Sequence, residues 1–380
     1  MHRPEGLSFW NRWVLFALLA GVAGTLFLIY RHSQNTAGLP ATPSQTNESN
    51  PVASSGKTIA PWEIAQAKIL KATLNPSQAR RALEELRQYL STLPNDEASR
   101  VIRQVLDKKT DARTGGGFTL GANGFLADTP SFRVFLLDYL GKVDPAAAAA
   151  YAEKILGSMD SADEWAVAMR SYAWGNNSPE GRSFLEQKLQ AMLTYAPWQQ
   201  EASAGFLEGF DVAVYLGGTK LTPTLTSLVR QTENRAVSHA AYLALDRLVI
   251  SEPAALLDKL QSEPDLMIGR EATRANYFAR AQVGDQAQRQ VVEKYLLDPQ
   301  IGESELNTFA GLFPNENYMI SHNLLTKPQT PNHNTLVARD QAALQTVEGW
   351  LADPRFARVQ PQLATIKNRL SQFVKQAGGQ

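Results

Sequence analysis

A polar residue followed by proline recurs along the chain, at Thr129-Pro130, Asp144-Pro145, Ser178-Pro179, Thr222-Pro223, Asp298-Pro299 and Asp353-Pro354. Proline suits the first turn of a helix, where its missing N–H is not needed, and the preceding Ser, Thr or Asp can accept a hydrogen bond from an orphan amide. Each dipeptide therefore reads as a helix start. The sequence between these points repeats one spacing. In 76–93, Ala79, Ala82, Leu83, Leu86, Tyr89, Leu90 and Leu93 fall three and four apart, as on one buried helix face. Residues 95–109 continue it through Ala98, Val101, Ile102, Val105 and Leu106, and Ser161 with Glu164 has the spacing of a capping box. No run of alternating strand residues interrupts the rhythm. The expected class is all-α, with helices of about a dozen to twenty residues and short loops that favour antiparallel neighbours.

Two stretches carry the pattern to a higher level. SFRVFLLDYLGKVDPAAAAAYAEKIL (131–156) and NRAVSHAAYLALDRLVISEPAALLDKL (234–260) each hold an Arg near the helix start, an apolar helix, a short turn ending in Asp or Glu plus Pro, and a second helix. In this they resemble HEAT or armadillo-like repeats. The resemblance implies stacked antiparallel helix pairs, an α-solenoid, over residues 61–375, closed by a final pair between Trp350 and Phe373. A helical bundle or an α/α toroid gives similar local signals. The glycine pair Gly217-Gly218 marks a place, near 217–221, where the helical region would divide into two halves.

The N-terminal part is of another kind. Residues 13–30, WVLFALLAGVAGTLFLIY, carry no charge, and at 1.5 Å per residue they would extend roughly 27 Å, close to a hydrocarbon core of about 30 Å. Arg12 and Arg31 close the run, with Trp10, Trp13 and Tyr30 at its ends. The sequence therefore leads one to expect a short cytoplasmic N-terminus at 1–12, a transmembrane signal anchor at 13–30 and a disordered Ser, Thr, Pro and Asn-rich linker at 31–60. The rest would lie outside the cytoplasm at the cell envelope, in a periplasm where there is one. Ala17, Gly21 and Thr25 lie four apart and would let two such helices approach as a homodimer. Lys plus Arg and Asp plus Glu both number 37, so no excess positive field draws the chain to nucleic acid. The absence of cysteine removes disulfides, thiolate zinc sites and cysteine nucleophiles together.

TGGGFTLGANGF (114–125) is the densest glycine stretch. A phosphate loop needs Lys then Ser or Thr after its last glycine; here Ala122 and Asn123 follow Gly121. A dinucleotide fingerprint needs a third glycine where Leu120 stands, and a strand before it. Asn123-Gly124 instead signals a tight hairpin turn, so a small hairpin or ordered loop is expected at 114–126. Ordered loops on helical scaffolds carry contacts, which makes Phe118, Leu120, Asn123 and Phe125 candidate partner-contact residues. Tyr318 and Met319 join them, from the segment 312–335 that departs from helix rhythm.

Catalytic chemistry finds little support. No two of His2, His32, His239, His322 and His333 have the helical spacing of a zinc motif, and no G-x-S-x-G elbow supplies a nucleophile. No cofactor or metal is expected. Asp163, Glu164, Glu208 and Asp211, with Trp165, Trp174 and Trp198 nearby in sequence, are the residues a glycoside-cleaving pair would draw on. Acids in a first helical turn and Trp at core positions also have purely structural uses. The leading expectation is a binding scaffold for another protein without catalytic activity; the alternative is an enzyme or binder of envelope glycans on a helical toroid.

Overall fold

The structure, a computed structural model, describes residues 61–71, 75–121, 123–317, 319, 323–327 and 330–378. Helices α1 (Pro61–Lys71), α2 (Pro76–Ser91) and α3 (Asn95–Asp107) precede a hairpin of β1 (Thr119–Leu120) and β2 (Leu126–Asp128). Helices α4 (Phe132–Val143), α5 (Pro145–Ile155), α6 (Ala162–Gly175) and α7 (Pro179–Thr194) follow. Three short helices, α8 (Ala196–Gln200), α9 (Ala204–Glu208) and α10 (Asp211–Leu216), lead to α11 (Thr222–Arg230), α12 (Arg235–Ser251) and α13 (Pro253–Ser262). After a 3₁₀ turn at Pro264–Met267 come α14 (Glu271–Phe278), α15 (Gln286–Leu297) and α16 (Glu303–Leu312). A long loop reaches α17 (His333–Ala352), and a second 3₁₀ turn, Pro354–Val359, runs into α18 (Gln360–Gly378). The protein is all-α, and the hairpin is its only sheet among the described residues.

Several of the expected helix starts are formed by the expected chemistry. Asp144 accepts from the Ala147 amide at 3.0 Å, Ser178 from Gly181 at 3.1 Å, Asp353 from Arg355 at 2.9 Å and Ser161 from Glu164 at 3.3 Å. Three starts are corrected. Helix α4 begins after Thr129-Pro130 and is capped by Ser131. Thr222 lies inside the first turn of α11, so its hydroxyl does not cap it. Asp298-Pro299 ends α15, because the Asp298 carboxylate accepts from Gln300 two residues on and closes a turn.

The expected single-pass membrane localisation is also corrected: among the described residues no helix is long and apolar enough to cross a membrane. Residues 13–30, with Ala17, Gly21 and Thr25, lie outside the described residues.

Packing follows two rules. Neighbours in sequence pack together, as α1 on α2, α4 on α5, α5 on α6, α11 on α12 and α17 on α18. Helices two apart also pack, as α4 on α6, α13 on α15, α14 on α16 and α16 on α18, while α9 and α10 bridge from α6 and α7 to α12. One apolar cluster extends from Ile69 to Leu370. Its C-terminal part is a chain of rings: Phe278 to Tyr295 at 4.1 Å, Tyr295 to Phe309 at 5.5 Å, Phe309 to Phe313 at 5.0 Å, and on through Trp350 to Phe356. Each buried ring of this kind contributes about 1.5–3 kcal/mol by leaving water.

Five arginine–carboxylate pairs are set into this apolar interior, every side chain in them at most 12% exposed: Arg133–Glu164, Arg170–Asp138, Arg247–Asp211, Arg280–Asp246 and Arg274–Glu305. The partners stand 31 to 36 residues apart, the length of a helix, a second helix and their loops. Arg133 and Arg274 each grip their glutamate with two nitrogens, at 2.8–3.0 Å. Burial pulls both guanidinium pKa values down, but the glutamate's hydrogen bonds and charge outweigh it and the net shift is upward.

Candidate functional site

The glycine-rich segment folds as a hairpin. Its base is the bridge between Arg113 and Ser131, and its arms pair Thr119 with Asp128 and Leu120 with Leu126. At the tip, the Gly121 amide donates to the Phe125 carbonyl at 2.7 Å, and the Asn123 side chain accepts from the Phe125 amide at 3.2 Å. Gly124 sits at φ +81°, a conformation costly for any side chain with a Cβ. The Gly121 and Gly124 amides are spent on the turn, and those of Gly116 and Gly117 go to the side chains of Thr114 and Asp128.

Beneath the tip, Asp138 on α4 and Arg170 on α6 meet at 2.7 Å. The Leu126 amide donates to both oxygens of Asp138 at 3.1 Å, and Arg170 donates to the Gly124 carbonyl at 2.9 Å. One ion pair thus holds one donor and one acceptor of the hairpin backbone. Burial pushes the Asp138 carboxyl up, against the pull of Arg170, and pulls the Arg170 guanidinium down. Both shifts report a dry seat in which unpaired charge is costly.

Above that seat, the central carbon of Arg170 lies 4.8 Å from the Trp174 ring and 5.3 Å from the Phe125 ring. The two rings meet edge to face, 5.2 Å apart at 67°. A desolvated cation against an aromatic face is worth about 2 kcal/mol, so the platform is fixed in place. Trp174 nevertheless remains 39% exposed. The arrangement presents an indole, with the exposed Asn123 and half-buried Phe125 beside it, on a rigid support.

The other expected contact residues are distributed differently. Phe118 is buried in the main cluster and offers little surface. Leu120 and Met319 are half-buried, and Tyr318 lies outside the described residues. The segment that holds Met319 packs back on the helices. Arg280 donates to the carbonyls of Asn315 and Asn317. Farther along, the amides of Leu325 and Thr326 donate to Asp211 at 2.6 and 2.7 Å, the Asn323 amide donates to Glu208 at 3.3 Å, and Leu324 is fully buried. The described residues 315–317 and 323–326 are therefore held at Arg280, just after α14, and at the ends of α9 and α10.

The carboxylates considered for glycoside cleavage all have partners within the protein. Glu164 is held by Arg133, and Asp163 accepts from the Ser203 hydroxyl and the Gly205 amide. Glu208 takes the Asn323 amide, and Asp211 takes Arg247 and the returning loop. Trp165 is buried, donates to the Ser158 carbonyl and meets Trp198 edge to face at 5.4 Å.

The fold and site together define an all-helical protein with an aromatic platform formed by the end of α6 and the tip of a hairpin packed on it. No family model, curated protein or solved structure matches the chain.

Proposed function

We propose that the chain is a non-catalytic helical scaffold, a HEAT- or armadillo-like α-solenoid, that binds another protein through Trp174, Phe125 and Asn123. The solenoid reading is supported by packing between helices two apart and by residues 31 to 36 positions apart that pair across them, a spacing shorter than the roughly 40–47 residues of a HEAT or armadillo repeat. The binding reading is carried by one observation: Trp174 is 39% exposed although Arg170 and Phe125 hold its ring in place. A rigid, partly exposed indole is the kind of anchor on which interface energy concentrates, and truncating one costs about 2 kcal/mol or more of binding.

The test places a photo-crosslinking residue at Asn123 in the full-length chain in its native cells. A single protein should be captured from Asn123 and lost in Trp174→Ala. Capture of the same set from the exposed Gln290 on α15, or capture unaffected by Trp174→Ala, would overturn the assignment.

A further inference from the structure

Away from the hairpin, a recess of about 390 Å³ opens between the end of α11, the start of α12 and the start of α14. Its polar lining includes Arg235, Ser238, His239, Tyr242, Arg270 and Thr273, with Gln231 and Thr232 at the loop side. No carboxylate lines it. The nearest carboxylates in sequence are Glu233, which lines an adjoining cavity, and Glu271, which accepts from the Gly269 amide at 2.9 Å. Neither Arg235 nor Arg270 takes part in an ion pair among the described residues, in contrast to the five arginines paired in the interior. Two guanidinium groups sharing one recess that no carboxylate lines raise the local potential, and an entering anion relieves it.

The recess is preformed. Ser238 donates to the Val229 carbonyl at 2.8 Å and ties α12 to the end of α11. Tyr242 is fixed from two sides: its hydroxyl accepts from the Asn276 amide, and its carbonyl accepts from the Tyr277 hydroxyl at 3.1 Å. The rings of His239, Tyr242 and the fully buried Tyr277 form a stack, 6.1 Å apart at 17° and then 5.6 Å apart at 23°. His239 is the exposed end of that stack, so a flat ring face lies beside the two arginines. The volume falls within the range of sites for small organic molecules, about 300–1,000 Å³.

We propose that this recess binds a small aromatic oxyanion, a carboxylate or a phosphate monoester. The anionic group is taken by Arg235 and Arg270, whose forked donors match two oxygens at once. The ring of the ligand lies against the exposed face of His239. This site is separate from the Trp174 platform and does not depend on it.

Calorimetric titration of the purified full-length chain with phenyl phosphate, benzoate and inorganic phosphate tests the proposal. At least one aromatic anion should saturate, with an affinity that falls as salt is raised. Saturation by phenyl phosphate only identifies phosphate as the source of the anion, and saturation by benzoate only identifies carboxylate. Arg235→Gln and Arg270→Gln should each weaken binding by about tenfold or more, as expected for losing hydrogen bonds to a charged group. Both side chains reach solvent, so unchanged thermal melts provide the control for folding. His239→Ala should bring phenyl phosphate down to the affinity of inorganic phosphate, while Trp174→Ala should leave all three titrations unchanged. Failure of both aromatic anions to saturate, or saturation that survives the two arginine substitutions together, would overturn the proposal.

Discussion

Asp211→Ala removes the acceptor on which the loop after α16 depends. The Asp211 side chain is fully buried. It takes Arg247 at 2.8 Å, the amides of Leu325 and Thr326 at 2.6 and 2.7 Å, and the Thr326 hydroxyl. Hydrogen bonds to a charged group contribute about 1.5–3 kcal/mol each, but these share one acceptor and do not add. The better measure is the cost of breaking a buried arginine–carboxylate pair from one side, about 3–5 kcal/mol. A long helical array need not unfold in one step, so a global midpoint is the wrong readout. Hydrogen exchange in 323–327 reads the loop directly. The two amides should exchange at least about 100-fold faster in Asp211→Ala, the factor for a loss near 3 kcal/mol, with α13 unaffected. Asp211→Asn keeps one carbonyl oxygen and should fall between. Exchange at Leu325 and Thr326 within about twofold of the parent protein would refute the account and leave the buried Leu324 as the anchor.

Two further predictions concern the hairpin and the buried acids. Gly124→Ala forces a Cβ into φ +81°, although the Trp174 ring at 3.4 Å leaves room for it; the cost is about 1–2 kcal/mol of backbone strain. The tip should loosen, and the emission of Trp174 should shift as its contact with Phe125 weakens, which tryptophan fluorescence reads against a Trp174→Phe reference. Burial raises Asp138, Asp211 and Asp246, so the native chain holds protons that the unfolded chain, titrating near 3.9, has released. Their contribution to stability is fully present below that value and is lost as pH rises through the native pKa values. Thermal melts across that window should fall more steeply with pH in the parent protein than in Asp246→Asn.

The helix content was legible because capping and apolar spacing are local, and the interior from Ala79 to Leu106 lies where the three-and-four pattern places it. What was not legible is the use of charge between helices. Asp246 and Arg247 are adjacent in sequence and look like partners. On a helix, neighbouring side chains point about 100° apart, and each serves a different neighbour: Asp246 takes Arg280 while Arg247 takes Asp211. Trp174 reads as core from its apolar helix. It lies one turn beyond Arg170, in the last turn of α6, and stays 39% exposed although the hairpin tip packs on it. Phe118 fails in the opposite sense, since nothing local distinguishes the inner arm residue from the outer one. The contact of the 323–326 segment with Asp211 spans 114 and 115 residues, beyond the reach of any local pattern.

The buried pairs raise a question of energetics, because well-packed apolar residues of similar size often replace such pairs without loss. Their geometry supplies an answer for three of the five. Besides its carboxylate, Arg133 donates to the Leu106 carbonyl at the end of α3, Arg170 to Gly124 at the hairpin tip, and Arg280 to Asn315 and Asn317 in the long loop. The carboxylate orients the guanidinium, and its remaining donors satisfy backbone carbonyls that no apolar side chain can serve. Arg274 differs: its two hydrogen bonds both go to Glu305, which also takes the Tyr295 hydroxyl at 3.0 Å. Two sets of replacements should therefore part ways. Arg274→Met with Glu305→Leu and Tyr295→Phe removes every member of one network and should change stability by less than about 1.5 kcal/mol, as for a volume-conserving core swap. Arg170→Met with Asp138→Leu leaves the Gly124 carbonyl and the Leu126 amide without partners, at about 1–3 kcal/mol each, and should release the hairpin. Hydrogen exchange at 119–128 together with thermal melts measures both sets. Equal losses in the two would show that the pairs act only as buried charge, and that their bonds to the backbone do not account for arginine at these positions.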